Sequence, residues 1–503
     1  MRNVPLPNKL RVMLFGKEIG RLSWDERAGR SYFFFSPEYF RMNLDIAPIV
    51  APKDMPETHF AIFGNTDKRI YQKLPPFIAD SLPDDWGNTL FDQWFKDNGY
   101  HEKDKNPIAK LSFIGKRAMG AFEFLPCHDE LFDDAEELSL GHLYTLAARI
   151  EEERGNAVIP PDESLTESAL LAVGTSAGGR FKKAIIAVAP DGSIHSGQVS
   201  VNSDWKYFII KFNNPALCLS EVEQTYYELA TEAGIEMEKS DLIEVDGIKH
   251  FRTGRFDRKA GRKMLTMSLA AINPEAGSYE DLFRTCNILG ISEREKSQLF
   301  RRMVFNVMAS NTDDHEKNFS FILDDDGCWH IAKAYDINFI FRTLNSAETD
   351  HCFSVGGKTN SITTDNLLQF AREYDIKSGG TIIAEVRTVL DTFEVKAAAN
   401  GIRGDIAEII SRRLEQLKNE MAGTEMAETQ WPSFAIDGHN IESFHFEKDE
   451  KGAIRVLAVV DGVESRKILS QKHPDYLLVA QRFNGSADSL KKRLARKYFL
   501  DTV

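Results

Sequence analysis

The sequence predicts an α+β fold of two unequal lobes, a small β-rich one followed by a larger helical one, with an extra α+β module after them. Three observations carry this. Short apolar runs alternate with turn residues over residues 8–75 and again between 184 and 258, the signature of strands. From about 260 to 420 the apolar residues recur at helical spacing, interrupted once by a hairpin. From Thr429 the strand pattern returns as FAIDG, IESFHFE, IRVLAVVDG and YLLVAQRF, before a basic terminal helix, SADSLKKRLARKYFL.

Taken in order, LRVMLFGKEIGRLSW, YFFFS and THFAIFG read as strands. PPFIADSLPDDWGNTLFDQWFKDN reads as a turn and then a helix, its start marked by Pro83 and two aspartates. KRAMGAFEFLP is a strand that closes a first α+β module, residues 1–139, whose acidic end at 128–139 is a linker or exposed loop. A second unit, 140–259, has a helix near 140–153, a glycine-rich turn, the strands AIIAV and WKYFIIKF, and a helix that stops at Gly234. It ends with the strands IEVDG and HFRTGRFDR. Residues 260–424 form the helical unit, and 425–503 the extra β-rich module, joined near EMAGTEMAET.

The net charge of −14 argues against a protein that coats nucleic acid, although a local basic patch remains open. The five cysteines are scattered singly without a C-x-x-C pair, which fits reduced thiols in the cytoplasm and neither a disulfide framework nor a zinc site. No apolar run reaches the length of a membrane span, and the N-terminus lacks the pattern of a secretory signal.

The chemistry concentrates in NTDDHEKN, residues 311–318, which contains D-x-H-x-x-N as Asp313, His315 and Asn318. Asp336 follows 18 residues after Asn318, at the far end of a hairpin whose arms, FSFIL and WHIAKAYD, flank Asp325-Asp326-Gly327. Pairing those arms brings Asn318 and Asp336 to one open end, within reach of one cation. Magnesium takes hard oxygen ligands and keeps waters, so two protein ligands plus phosphate oxygens suffice. Kinases use such a set, with one carboxylate for the acceptor hydroxyl and an Asn and an Asp for the metal. Alone, D-x-H-x-x-N reads better as a helix cap, since short motifs recur by chance. Asp336 at the correct end of a hairpin moves the reading toward phosphoryl transfer.

Two upstream features supply the rest of such a site. Ser176 to Lys183, SAGGRFKK, has consecutive glycines that let backbone N–H groups approach phosphate, with lysines for charge. It is not a P-loop, and by itself a Gly-Gly turn is more often only a turn. Lys211 sits inside the apolar strand FIIKF and calls for an anion. Its partner would be Glu223 on the next helix, with Glu221 and Glu228 as competitors; an edge-strand lysine facing water is an equal alternative.

TSAGGRFKKA, FIIKF, GRFDR, TDDHEKNFS and AYDI, in this order, resemble the HipA family of bacterial serine/threonine-protein kinase toxins. PPFIADSLPDDWG and FIGKRAMGAFEF resemble its N-terminal module, and SVGGKTNSITTDNLLQFA its helical lobe, so the resemblance covers residues 8–420. It implies a two-lobed kinase-like fold, ATP and Mg2+ as cofactors, Asp313 as catalytic residue, and Asn318 and Asp336 as metal ligands. It further implies ATP contacts from Gly178, Gly179, Arg180, Phe181, Lys182, Lys183 and Lys211. Gly254, Arg255 and Phe256 would form the connector beside adenine, and His315, Glu316, Lys317, Asn318, Tyr335 and Asp336 would face the nucleotide. Ser176 aligns with the serine that the family autophosphorylates, a modification that ejects the loop and switches the kinase off. Two negative charges fit poorly where ATP phosphates bind.

Arg180 and Phe181 depart from the family's common Ala and Arg, Lys182 stands where Pro is frequent, and Gly254 replaces a charged residue. The family also implies a protein substrate such as an aminoacyl-tRNA synthetase, growth arrest, a helix-turn-helix antitoxin, and operator DNA bound mainly through that antitoxin. A lipid or small-molecule kinase is the competing enzyme reading, since phosphatidylinositol kinases carry D-x-H-x-x-N; the absence of a basic membrane-binding stretch near the site weighs against it. A regulatory or DNA-associated protein with an inherited kinase fold is the non-enzymatic one. The terminal basic helix could serve it, although a solvated helix face is the plainer account.

Overall fold

The computed structural model describes residues 6–64, 66–128, 138–153, 182–198, 202–344 and 349–421, and in the tail 434–436, 439–448, 454–461 and 463–469. Strands β1 (Lys9–Leu14), β2 (Lys17–Asp25) and β3 (Arg30–Phe35) form an antiparallel meander. With β4 (Ile62–Phe63) and β5 (Phe122–Leu125) they make a sheet of order β4-β3-β2-β1-β5. Period-two alternation sets its inner face: Leu10, Val12 and Leu14 are buried, and so are Phe33 and Phe35.

Helices α1 (Pro37–Arg41), α2 (Pro76–Ala79), α3 (Asp85–Asp97) and α4 (Pro107–Ile114) complete this module. Asp84 caps α3 by accepting from Gly87 N at 2.6 Å, and Asn106 caps α4 by accepting from Ala109 N at 3.0 Å. Sequence reading passes over α4 because Ile108, Ala109, Leu111, Phe113 and Ile114 are buried together, which erases the amphipathic period.

The next unit holds α5 (Leu140–Glu153), β6 (Lys183–Val188), β7 (Ile194–Ser196), β8 (Lys206–Lys211), α6 (Leu219–Glu232), β9 (Ser240–Val245) and β10 (Ile248–Gly254). Its antiparallel sheet runs β7-β6-β8-β10-β9, so β8 is central. Trp86 and Leu90 of α3 pack with Leu143, Ile186, Ile210 and Phe212 into a small core that ties the sheet to the N-terminal module.

A short hairpin, β11 (Arg258–Lys259) and β12 (Arg262–Lys263), leads into β13 (Leu265–Ser268) and the helical unit. That unit contains α7 (Leu269–Ile272), α8 (Tyr279–Ile288) and α9 (Glu293–Met308). The hairpin β14 (Ser320–Leu323) and β15 (Trp329–Ile331) follows, then α10 (Thr364–Glu373), α11 (Gly379–Leu390), α12 (Phe393–Asn400) and α13 (Gly404–Met421). The sequence marks only two strands here; the third, β13, pairs with β14 and makes a three-stranded sheet.

One continuous apolar core runs from the N-terminal sheet into the helical unit. Polar contacts cross the same boundary: Asp80 accepts from Ser268 N and Oγ at 2.8 and 2.5 Å, and Tyr71 OH donates to Ala270 O at 2.9 Å.

The tail contains an antiparallel sheet of β16 (Phe434–Ile436), β17 (His439–Lys448), β18 (Ile454–Val460) and β19 (Val463–Leu469). VESRKIL, not marked as a strand by the sequence reading, is β19. YLLVAQRF, the basic terminal helix and Ser176 to Phe181 lie outside the described residues. Among the described residues no helix is long and apolar enough to cross a membrane.

Candidate active site

Lys211 ends the central strand β8, between Lys183 of β6 and Phe251 of β10. This position removes the edge-strand alternative. Its ammonium donates to Glu223 Oε1 at 2.5 Å and to Asp336 Oδ1, and its side chain is 19% exposed. The competing glutamates are engaged elsewhere: Glu221 accepts from Asn213 Nδ2 at 3.0 Å, and Glu228 accepts from Gln224 and Asn400. Asn213 also accepts from Ser220 N at 3.0 Å, which fixes the start of α6 and so the direction of Glu223.

The electrostatics follow from that grouping. Burial disfavours charge on Lys211, but Asp336 and Glu223 outweigh it and hold the ammonium pKa above its ordinary value. Burial raises Glu223 despite the lysine. Burial also acts to raise Asp336, yet Lys211 reverses it and leaves that carboxyl below the usual range.

The hairpin delivers Asp336 as its spacing predicts. Pairing of Phe321 with Ile331 and Leu323 with Trp329 sets the register, and a five-residue turn held by the Asp324 carboxylate closes it. Buried Arg302 donates to Ala332 O at 2.6 Å, and Ala334 N donates to Glu236 O at 2.8 Å, steering the exit toward the small lobe. Asp336 then adopts φ +55°, a left-handed conformation that aspartate tolerates better than most residues.

On the other arm, Asn318 Nδ2 donates to the Asp313 carbonyl at 2.7 Å. The amide is therefore held by the loop it follows, and its Oδ1 is the atom left over. Asp313 itself is 42% exposed, paired with Arg342 at 3.1 Å and 3.9 Å from His315 Nε2. Glu316 and Lys317 lie in the short turn Glu316–Asn318. Tyr335 OH bonds Lys317 O at 2.7 Å and Ser320 Oγ at 2.6 Å, while its ring stacks on Phe256 with centroids 5.5 Å apart.

The structure thus brings Lys211, Glu223, Tyr335 and Asp336 into one cleft, with His315 close enough to lower the Asp336 carboxyl. It places two of the expected nucleotide contacts in protein–protein roles. The Lys183 side chain is 2% exposed and pairs with Asp84 at 2.8 Å. The Arg255 guanidinium is sealed against Asp257, at 2.8 and 2.6 Å, and against Gly197 O at 2.9 Å. Gly254 ends β10, its N–H donated to Lys239 O at 3.0 Å, and the Lys182 carbonyl accepts from Phe212 N at 2.9 Å.

Three residues were missed by sequence reasoning. Asp314, wholly buried, accepts from Cys352 N (2.9 Å), Phe353 N (3.4 Å), Tyr279 OH (2.7 Å) and the His351 Nδ1 (2.9 Å), anchoring the loop from beneath. The doublet Asp313-Asp314 was the available signal, since adjacent residues of a loop face opposite ways. Arg342 and Asp84 had none, because their partners are remote in sequence.

The fold and the grouping of these residues define a two-lobed, kinase-like protein of mixed α+β structure. A model of the HipA N-terminal domain matches residues 10–125, and one of the HipA-like C-terminal domain matches residues 175–402. The chain belongs to the HipA family. It is similar to HipA of Shewanella oneidensis MR-1, solved with HipB and operator DNA: 16% identity, TM-score 0.56, 82% of this chain and 96% of that one covered. The kinase CtkA of Helicobacter pylori is more distant, at 11% identity and TM-score 0.30 over 43% of this chain and 88% of that one.

Proposed function

We propose that this chain is an ATP- and magnesium-dependent serine/threonine-protein kinase and the toxin of a toxin–antitoxin pair. The observation that carries the reading is Lys211 held between Glu223 of α6 and Asp336 beyond the hairpin, a lysine–glutamate–aspartate set that kinases keep at the nucleotide phosphates. The donor chemistry fits magnesium: a carboxylate at Asp336 and the Asn318 Oδ1 are hard oxygens, and the remaining positions belong to phosphate and water. Bound there, the ion would neutralise charge developing on the phosphates.

Each side chain then has a task. Lys211 orients the phosphates, and Glu223 keeps Lys211 extended. Asp313 accepts or orients the acceptor hydroxyl, and its exposure leaves room for an incoming serine or threonine. The Phe256–Tyr335 pair offers an aromatic wall for adenine. Gly178 to Lys182 would cover the phosphates, with Ser176 as the autophosphorylated residue. Residues 1–139 serve as the N-terminal module, 140–259 as the nucleotide lobe, 260–424 as the catalytic lobe, and 425–503 as a further module. By family analogy the substrate is a translation component such as an aminoacyl-tRNA synthetase. The complex of the Shewanella protein with HipB and operator DNA supports a helix-turn-helix antitoxin that brings the toxin to DNA.

Mass spectrometry of cells expressing wild type and Asp313→Ala tests this. Phosphosites present only with wild type, on Ser176 and on one cellular protein, are the expected result. No difference at any site, or a labelled lipid after incubation with ATP, would sink the protein-kinase reading.

A further inference from the structure

Behind the loop that carries Asp313 lies a cavity of about 290 Å3, separate from the Lys211 cleft and closed on one side by α13. Its walls are unusually polar for an interior space. Arg413 of α13 lines it with a side chain only 9% exposed, and burial lowers its pKa. A guanidinium has five N–H donors. Among the described residues, Arg413 has two long contacts, Ser310 Oγ at 3.5 Å and Glu420 at 4.0 Å. Thr312, 1% exposed, also lines the cavity, and its hydroxyl has no hydrogen-bond partner among the described residues. Asn360, His351, Ser361 and Gln416 add to the polar lining.

A buried cation short of acceptors and an orphaned buried hydroxyl each leave a desolvation cost unrecovered. One tetrahedral oxyanion would satisfy both, accepting from the guanidinium as a fork and from the hydroxyl of Thr312; the Ser310 proton is taken by Thr343 Oγ1 at 3.1 Å, since Thr343 donates its own to Ile340 O at 2.6 Å. The volume exceeds that of several waters, whose share is about 30 Å3 each, so the space holds more than a bridging water. We infer that this cavity is a second binding site, for a phosphate group, borne either by inorganic phosphate or by a small phosphate monoester. Glu420 is the group that opposes an anion there; it is 31% exposed, and the same Oε1 that stands 4.0 Å from the guanidinium accepts from Gln416 Nε2 at 2.7 Å. The site borders the loop directly: Thr312 precedes Asp313 and its backbone carbonyl accepts from Cys352 N at 3.1 Å, while His351 grips Asp314.

The site stands on its own residues and not on the kinase reading. Calorimetric titration of the full chain with inorganic phosphate and, in parallel, with glycerol phosphate separates the two sources. A Lys211→Met background removes phosphate binding in the nucleotide cleft. Saturable binding that survives in that background is expected, at least about tenfold weaker in Arg413→Met. Glu420→Gln, a change at the solvent edge of α13 that leaves the core intact, should tighten it by up to about fivefold. Binding that disappears with Lys211→Met, or an affinity unchanged in both Arg413→Met and Glu420→Gln, would overturn the inference. Binding that behaves as expected in a protein that transfers no phosphoryl group would sink the kinase reading alone.

Discussion

Two charge clusters in this molecule use the same chemistry and end in opposite states. In the cleft one cation, Lys211, stands between two carboxylates, Glu223 and Asp336, and all three keep some contact with solvent, at 19, 9 and 35%. Behind the small lobe one carboxylate, Asp257, stands between two cations, Arg255 and Arg258, all at 0%. The sealed cluster is tied to backbone as well: Gly120 N donates to Asp257 Oδ2 at 2.8 Å, and the arginines reach Gly197 O and Gln198 O at 2.9 and 3.1 Å, with Arg258 Nε the donor left without a partner among the described residues. Burial acts to raise the Asp257 carboxyl, but both guanidiniums reverse this and hold it far below the usual range. The open cluster has no such completion: among the described residues, Lys211 on Oδ1 is the side-chain partner of the Asp336 carboxylate. A charged group closed on all sides serves the fold; one left with an open coordination position serves a ligand.

The sealed cluster should break hardest. Asp257→Ala strands two buried guanidiniums, which costs about 3–5 kcal/mol. A large fall in melting temperature by circular dichroism, or loss of soluble protein, is the expected outcome. Lys211→Met should leave the melt close to wild type while lowering phosphoryl transfer from labelled ATP by about 100- to 1,000-fold. If Asp257→Ala melts like wild type, or Lys211→Met unfolds as readily as Asp257→Ala, the distinction between the two clusters fails.

Asp314 lies between these extremes, sealed like Asp257 but itself part of the loop that holds Asp313, which it ties to Tyr279, His351, Cys352 and Phe353. Its Oδ2 receives Tyr279 OH, whose oxygen accepts in turn from Asn306 Nδ2 at 3.0 Å, so the hydroxyl proton has one destination. Asp314→Asn puts an amide donor among donors, and should cost about 1–3 kcal/mol. The loop is displaced but the cleft is not, so turnover should fall with the KM for ATP nearly unchanged. A rise in KM with turnover intact would instead place Asp314 in nucleotide binding.

How much of this the sequence disclosed depends on reach. The hairpin from Asn318 to Asp336 was legible because turn residues and strand alternation set its register locally. Lys211 was legible as an anomaly, a charge inside an apolar strand. Glu223 was named as its partner, with Glu221 and Glu228 left as competitors, because what separates them, Asn213 bonded to Ser220 N and to Glu221, is a contact outside the helix pattern. In GRFDR the charges are plain, but nothing local says that Asp257 closes upon Arg255 and Arg258 with Gly120, more than a hundred residues away, as a lid. Lys183 likewise looked like a phosphate ligand until Asp84 of the first module supplied its partner. Pairing across modules is invisible to periodicity, and it decides which charges remain open.

The smallest expected effect concerns a group that is sealed and uncharged. His250 of β10 is fully buried between Tyr144 and Phe212, and its Nδ1 accepts from Asn213 N at 3.1 Å, which requires the neutral ring. Its Nε2 has no partner among the described residues. Burial pushes the pKa down to about 4, with Asp246 opposing and Lys182 assisting. In the unfolded chain the ring titrates near 6.5, so between about 6.5 and 4 the unfolded state binds more protons than the native one. Stability is therefore lost as pH falls through that window, and this contribution levels off below it. His250→Leu should be less stable at pH 7, because Asn213 N loses its acceptor, yet should lose less on acidification. Thermal melts of both proteins from pH 7 to 4.5 would show the curves converging. Parallel curves would mean that the ring takes up its proton in the native state, and that burial alone does not keep a group out of the open class.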